Sequence, residues 1–256
     1  VAALPACTHV DMDWLSSHAP LPENAKIVYK KDLGGVCEIV VALDGELLPL
    51  YAGQDFLLVG KLFKNKKLIT GETLDALGDV AEKERSEAEE KKALDREKRK
   101  AFFQKNLSVL EALTLFSFKP AKVDNFLYVV TDPNCAYCKR LLPDLEILAM
   151  ENHLEIKVVL FPVLGPRSRD MTAQAICESY SYEDYGQMEF GPGPWGCDAT
   201  DRYLEKALPL FSRAGLAFVP VVVSGDGTWV VEGNNIAQVK QHLGIECDGG
   251  TGNSSD

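Results

Sequence analysis

Positive charge is the first thing in short supply. The 256-residue chain has 27 Lys and Arg against 38 Asp and Glu, a formal net charge of -11. So acidic a chain argues against nucleic acid or an anionic membrane surface as a partner. Long apolar runs are missing, and none reaches transmembrane length. Histidine is sparse: His9, His18, His153 and His242 are scattered, and no CxH, HxxxH or second CxxC accompanies the CxxC present. Structural zinc needs a second pair of ligands, so neither a metal nor another cofactor is expected. Helix breakers are absent over one long stretch. Between Glu72 and Lys119 there is no proline, and the last glycine is Gly78.

Cysteine is plentiful. Seven are many for a reducing cytosol, which points to an oxidising envelope compartment, the periplasm. Val1 to Ala6 reads as the remnant of a processed export signal or as an artificial edge. Leu4-Pro5-Ala6-Cys7 has a faint likeness to a lipoprotein box. A lipidated, membrane-anchored Cys7 therefore stands beside a free N-terminus.

The chain is organised around Asp132-Pro133-Asn134-Cys135-Ala136-Tyr137-Cys138-Lys139-Arg140. The apolar run Phe126 to Val130 before it reads as a buried strand. Behind it Leu141, Leu142, Leu145, Leu148 and Ala149 recur at helical spacing. Cys135 is thus expected at a helix N-terminus, where free N–H groups and the helix dipole stabilise a thiolate. The thiolate is the attacking species in thiol–disulfide exchange, and the Cys135 sulfur is expected to be ionised and accessible because a helix begins there. Two intervening residues let Cys138 reach back and resolve a mixed disulfide. Half of a zinc site and a purely structural pair are the plainer readings. C-x-x-C beside a βαβ pattern favours redox chemistry over both. Lys139 adds positive potential near the thiols, or is an ordinary solvated helix residue.

Strands are expected at Ile27–Tyr29, Cys37–Ala42, Glu46–Tyr51 and Phe56–Phe63, after a short helix around Asp11–Ser17. Asp44-Gly45 is a hairpin turn, and Asn65-Lys66-Lys67 is a second turn. This small antiparallel sheet has a thin core and needs further burial, which pairing of copies through a sheet edge or face would supply. From Glu82 to Lys100 the chain is almost wholly charged or Ala, with Glu87–Lys91 and Asp95–Arg99 at i,i+4 and Glu89–Lys92 and Glu97–Lys100 at i,i+3. A helix polar all round is usually a solvent-bridging spacer. About 35 residues of helix would span roughly 50 Å. A packed helix with one solvated face, or a disordered charged run, are the alternatives.

From Leu113 onward the pattern gives strands at Leu115–Phe118, Phe126–Thr131 and Leu154–Pro162, with a helix over Cys135–Asn152. Helices follow at Arg169–Ser179 and Thr200–Ala214, separated by an irregular loop over Gly186–Gly196. A hairpin, Val219–Val223 with Thr228–Val231, turns at Gly225-Asp226-Gly227, and a helix covers Asn235–Leu243. The tail after Cys247 is expected to be disordered.

This order, with Cys-x-x-Cys after a strand and helices inserted between two halves, resembles the thioredoxin fold as elaborated in the Dsb enzymes. With a sheet domain and a linker helix in front, the chain resembles the DsbC/DsbG-type periplasmic disulfide isomerases from about Ala25 to His242. The anchors are Thr131-Asp132, Cys135, Tyr137, Cys138, Phe161-Pro162, Cys177, Cys197 and Pro220. The resemblance implies an α/β thioredoxin-like catalytic domain with a helical insertion (113–247), a small α+β antiparallel-sheet dimerisation domain (1–70) and a long linker helix (71–112), with 248–256 as the tail. It implies a homodimer whose catalytic domains face a cleft for misfolded, disulfide-containing clients. A membrane thiol reductase of the DsbD type would be the electron donor.

Residue by residue, it implies Cys135 as nucleophile, Cys138 as resolving thiol, and Pro220 as a cis-proline that exposes the Val219 backbone to an extended client segment. Tyr137 joins Val219 and Pro220 as client-binding. Cys177 and Cys197 match a structural disulfide, which would stabilise by roughly 3 kcal/mol in the chain-entropy model. Cys7, Cys37 and Cys247 have no counterpart, and Cys7 with Cys37 is the preferred pair. The family carries Gly-Tyr or Pro-Tyr between its cysteines where this chain has Ala136-Tyr137. The family also has threonine before the cis-proline, where this chain, like the DsbA-type oxidases, has valine, Val219. Isomerase, dithiol oxidase and dedicated reductase therefore all stand, as does a holdase chaperone with secondary redox activity.

Overall fold

The structure is a computed structural model and describes residues 7–187 and 189–245. It divides into two compact units, with the boundary between Asp95 and Arg96. Cys247 and the tail expected to be disordered lie outside the described residues.

In the first unit, α1 (Met12–His18) is capped by the Asp11 carboxylate, which accepts the Trp14 N–H at 2.8 Å. An antiparallel sheet follows from β1 (Lys26–Asp32), β2 (Cys37–Leu43), β3 (Glu46–Ala52) and β4 (Leu57–Val59), ordered β1-β2-β3-β4. Asp44 and Gly45 both take positive φ, 52° and 90°, as a two-residue hairpin turn between right-twisted strands requires. Val10, Leu15, Ile39, Val41 and Leu50 form the core, and a Cys7–Cys37 disulfide joins the N-terminal segment to β2.

Phe56 to Phe63 is not one strand. It stops at Val59, where Gly60 takes φ 156°, and restarts as β5 (Phe63–Lys64), paired only with β6 (Lys67–Leu68). Leu58, Val59, Phe56 and Phe63 are all about half exposed or more.

The stretch expected as a single helix over 71–112 is three: α2 (Ile69–Ala76), α3 (Gly78–Lys105) and α4 (Leu107–Ala112). Breaks fall at Leu77 and Asn106, which leave helical geometry. The charged α3 is not solvated all round. Val80, Ala81, Glu84 and Ala88 are partly buried at helical spacing. A Cβ on Gly45 would sit 3.0 Å from the Ala88 Cβ, and Lys26 pairs with Glu84 at 2.8 Å. Only residues 89–94 are exposed throughout. Charge patterning alone did not reveal the packed face, because it is built from Ala, Val and the stems of charged side chains.

A buried polar cluster ties α2 to the sheet. Glu38, fully buried on β2, accepts the Tyr51 hydroxyl at 3.0 Å and the Thr73 hydroxyl at 2.9 Å. Thr70 accepts the Leu62 N–H at 2.7 Å.

The second unit holds β7 (Phe116–Phe118), β8 (Asn125–Thr131), α5 (Ala136–Asn152), β9 (Leu154–Leu160), α6 (Pro166–Cys177), α7 (Tyr182–Gln187), α8 (Asp198–Arg213), β10 (Val221–Ser224), β11 (Val230–Glu232) and α9 (Ile236–His242). Its sheet runs β11-β10-β8-β9-β7. Strands β8 and β9 are parallel, joined through α5, while β10 and β11 are antiparallel to their neighbours. A parallel βαβ half and an antiparallel ββα half, with helices α6–α8 between them, is the thioredoxin-like α/β fold. The central strands are buried on both faces, which is why Val129-Val130 and Val158-Val159-Leu160 read as continuous apolar runs. Helix α7 was not expected. Its buried residues, Tyr182 and Tyr185, stand in a polar, Gly-flanked context that reads as loop.

Candidate active site

Strand β8 ends at Thr131, and the chain turns through Asp132-Pro133-Asn134 before α5 begins. Asp132 builds that turn. Fully buried, its carboxylate accepts the Asn134 N–H at 2.8 Å through Oδ1. Through Oδ2 it accepts the N–H groups of Val163 at 2.9 Å and Leu164 at 3.0 Å. The Asp132 carbonyl also accepts the Cys135 N–H at 3.0 Å. One side chain thus joins the turn before α5 to the loop after β9. Sequence reasoning had marked Asp132 without giving it a role. An Asp two residues before Asn134, in a turn, was the available signal.

Cys135 is the N-cap of α5, with φ -89° and ψ 117°, and its sulfur accepts the Cys138 N–H at 3.2 Å. The first turn of a 17-residue helix therefore offers a donor to negative charge on that sulfur. On the other side, the Cys135 Sγ lies 3.7 Å from the Val219 carbonyl oxygen and donates to it as a thiol. The Val219–Pro220 peptide is cis. The geometry so brings together Cys135, Cys138, Val219 and Pro220.

Both cysteines are unbridged. Cys138 is 1% exposed, and burial pushes its thiol up to about 12. The hydrogen bond with Cys135 adds to the rise, while Thr131 and the Asp132 backbone oppose it. Cys135 was expected to be accessible, yet it is only 3% exposed. The N-cap position folds its sulfur back over the first helical N–H groups and against Val219.

Around this point three large apolar side chains face outward: Tyr137 at 62%, Leu164 at 49% and Phe218 at 37% exposure. The Arg140 guanidinium lies over the Tyr137 ring, 5.8 Å from its centroid. Lys139 is exposed. Cys177 and Cys197 form a disulfide between the end of α6 and the start of α8, with the Thr200 hydroxyl 3.4 Å from each sulfur. They are therefore not part of the CxxC site. Among the described residues no group of three or more His, Cys, Asp and Glu is placed to hold a metal ion.

Fold and site define a thioredoxin-like protein carrying a CxxC dithiol at a helix N-terminus opposite a cis-proline. No protein-family model and no curated protein matches the chain. Several solved structures are similar to it. One is Proteus mirabilis ScsC, as a mutant with a deletion in its linker, at 16% identity over 72% of this chain and 99% of that one, with a TM-score of 0.49. Another is the thiol-disulfide exchange protein alpha-DsbA2 of Wolbachia pipientis, at 15% identity over 59% and 98%, TM-score 0.43. A third is Helicobacter pylori DsbG, at 16% identity over 83% and 97%, TM-score 0.36. Likenesses this distant transfer neither residue roles nor activity.

Proposed function

We propose that the chain is a thiol–disulfide exchange enzyme of the periplasm, and within that class an isomerase of non-native disulfides. The observation that carries this reading is the Cys135 sulfur at the N-cap of α5, accepting the Cys138 N–H and facing the Val219 carbonyl across 3.7 Å. The Cys135 thiolate attacks one sulfur of a client disulfide. The client S–S bond breaks, a Cys135–client disulfide forms, and the departing client sulfur leaves as thiolate. If another client thiolate attacks the mixed disulfide, the client leaves rearranged and Cys135 is regenerated. If Cys138 attacks instead, the client leaves reduced and the CxxC is oxidised. Restoring the dithiol then takes two electrons, which we assign to a membrane thiol reductase of the DsbD type. Cys138, held as a thiol by burial, must lose its proton before it attacks.

Tyr137 and the Val219-Pro220 backbone would hold an extended client segment, and the exposed Leu164 and Phe218 suit apolar stretches of unfolded chains. Two disulfides in the described residues, Cys7–Cys37 and Cys177–Cys197, suit an oxidising compartment. No helix among them is long and apolar enough to cross a membrane. We assign the first unit to homodimerisation, through the β4 edge and the exposed Phe56, Leu58, Val59 and Phe63 beside it.

The test is refolding of a scrambled multi-disulfide substrate. The wild-type chain should restore native activity, and Cys135→Ser should not. No gain over the Cys135→Ser variant would defeat the reading. Val219 favours a second reading, a DsbA-like oxidase. A strongly oxidising equilibrium of the Cys135–Cys138 pair against glutathione would select it.

A further inference from the structure

The second-unit half of α3 carries a side chain that the exchange chemistry above does not use. Arg99 keeps 13% of its side-chain surface, and its Nε donates to the carboxylate of Glu232, which keeps 21%. The same guanidinium lies over the Phe218 ring, 5.7 Å from its centroid, inside the range of a cation–π contact. Phe218 immediately precedes Val219 and Pro220. Glu232 ends β11, where it stands opposite Val221 in the ladder, and the next residue, Gly233, donates its N–H to the Pro220 carbonyl at 2.9 Å. One guanidinium therefore grips the chain just before the cis-proline and the strand end that pairs with the chain just after it.

The helix bearing it is fixed in place. Gly227, in the β10–β11 turn, lies so close that a Cβ there would sit 2.9 Å from the Gln104 Cα.

We propose that Arg99 is a positioning residue for client binding: by holding Phe218 and Glu232 it keeps the client-pairing backbone on either side of Pro220 in one conformation. This rests on the exchange reading. Arginine suits the task because its Nε–H serves the carboxylate while the same guanidinium lies over the ring. Lysine keeps the charge and loses the plane. A largely buried ion pair with no further role would act only on stability. The two roles therefore differ in what they change.

The experiment compares the full-length wild type with Arg99→Ala, Arg99→Lys and Glu232→Gln, using a dye-quenched peptide disulfide as substrate. Positioning predicts that Arg99→Ala raises KM about fivefold or more with kcat within about twofold, the pattern of lost binding common to ground and transition states. The equilibrium of the CxxC with glutathione should not move. Arg99→Lys should recover part of the KM, and Glu232→Gln should fall between. Backbone hydrogen exchange supplies a readout independent of activity, and the amides of 217–221 should exchange several-fold faster in Arg99→Ala than in wild type. Wild-type KM in every variant, or a shifted glutathione equilibrium with unchanged KM, overturns the proposal. A wild type inert toward the peptide would sink the exchange reading. Unchanged exchange at 217–221 in Arg99→Ala would then sink the positioning role by itself.

Discussion

Cys138 is the residue whose chemistry its surroundings alter most. Burial favours its neutral form, so its folded-state pKa, about 12, lies above the ordinary thiol range. The stabilisation is complete below about pH 9 and is lost as pH rises toward the folded value. Brief alkylation of the folded, reduced protein at pH 7 should therefore leave Cys138 unlabelled by mass spectrometry. Labelling should appear only above about pH 10 or in denaturant. Equal labelling of Cys138 in folded and unfolded protein at pH 7 would contradict the burial. Asp132 is the other residue that decides the site. Asp132→Ala leaves the part-buried N–H groups of Asn134 and Leu164 without this acceptor, while Val163 keeps the Phe161 carbonyl at 2.9 Å, and it should cost about 2 kcal/mol in urea unfolding. Asp132→Asn keeps only one acceptor oxygen and should cost somewhat less.

At the scale of elements, the β8–α5–β9 unit was legible because three signals agreed: an apolar run, a turn and helical spacing. The Asp44-Gly45 hairpin was legible for its turn chemistry. Gly60 broke the fourth strand without any signal in hydrophobicity, since only its φ of 156° ends the pairing. The contact of Arg99 with Glu232 was illegible too, since local charge pattern reaches only as far as Asp95, four residues away, and Glu232 comes from 133 residues away. Of the site, the CxxC is named by the sequence itself, and Val219 and Pro220 only by the resemblance. What Asp132 and Arg99 contact depends on loops and strands that only the fold assembles.

The glycines give a contrast that can be measured. Gly45→Val combines a φ of 90° with a Cβ 3.1 Å from the Arg85 Cα, so it should cost about 2 kcal/mol or more. Gly34→Ala, at φ 87° with nothing within 4 Å, should cost only about 1 kcal/mol. Similar losses in urea unfolding would show that Gly45 is limited by backbone angle alone and that α3 does not press on it.

For the whole molecule, the first unit is the one we propose for assembly. Charges placed at Leu58 and Phe63, as Leu58→Asp with Phe63→Asp, should convert the proposed homodimer into monomer by light scattering while leaving the Cys135–Cys138 equilibrium with glutathione unchanged. A double variant of unchanged mass in solution would move the interface elsewhere. The Cys7–Cys37 bridge closes a loop of 30 residues, so its loss as Cys7→Ala with Cys37→Ala should cost about 3.5 kcal/mol in the chain-entropy model. Thermal unfolding of the first unit should show it.

The six exposed residues at 89–94 form a stretch of α3 that ends just before the boundary between the two compact units. Its peptide bonds are shielded from a protease only while the helix holds, and Lys91 and Lys92 lie within it. Brief trypsin digestion under gentle warming should nick the chain there first. Two stable pieces should remain, one held shut by the 7–37 bridge and the other by the 177–197 bridge, with the dithiol travelling on the heavier fragment.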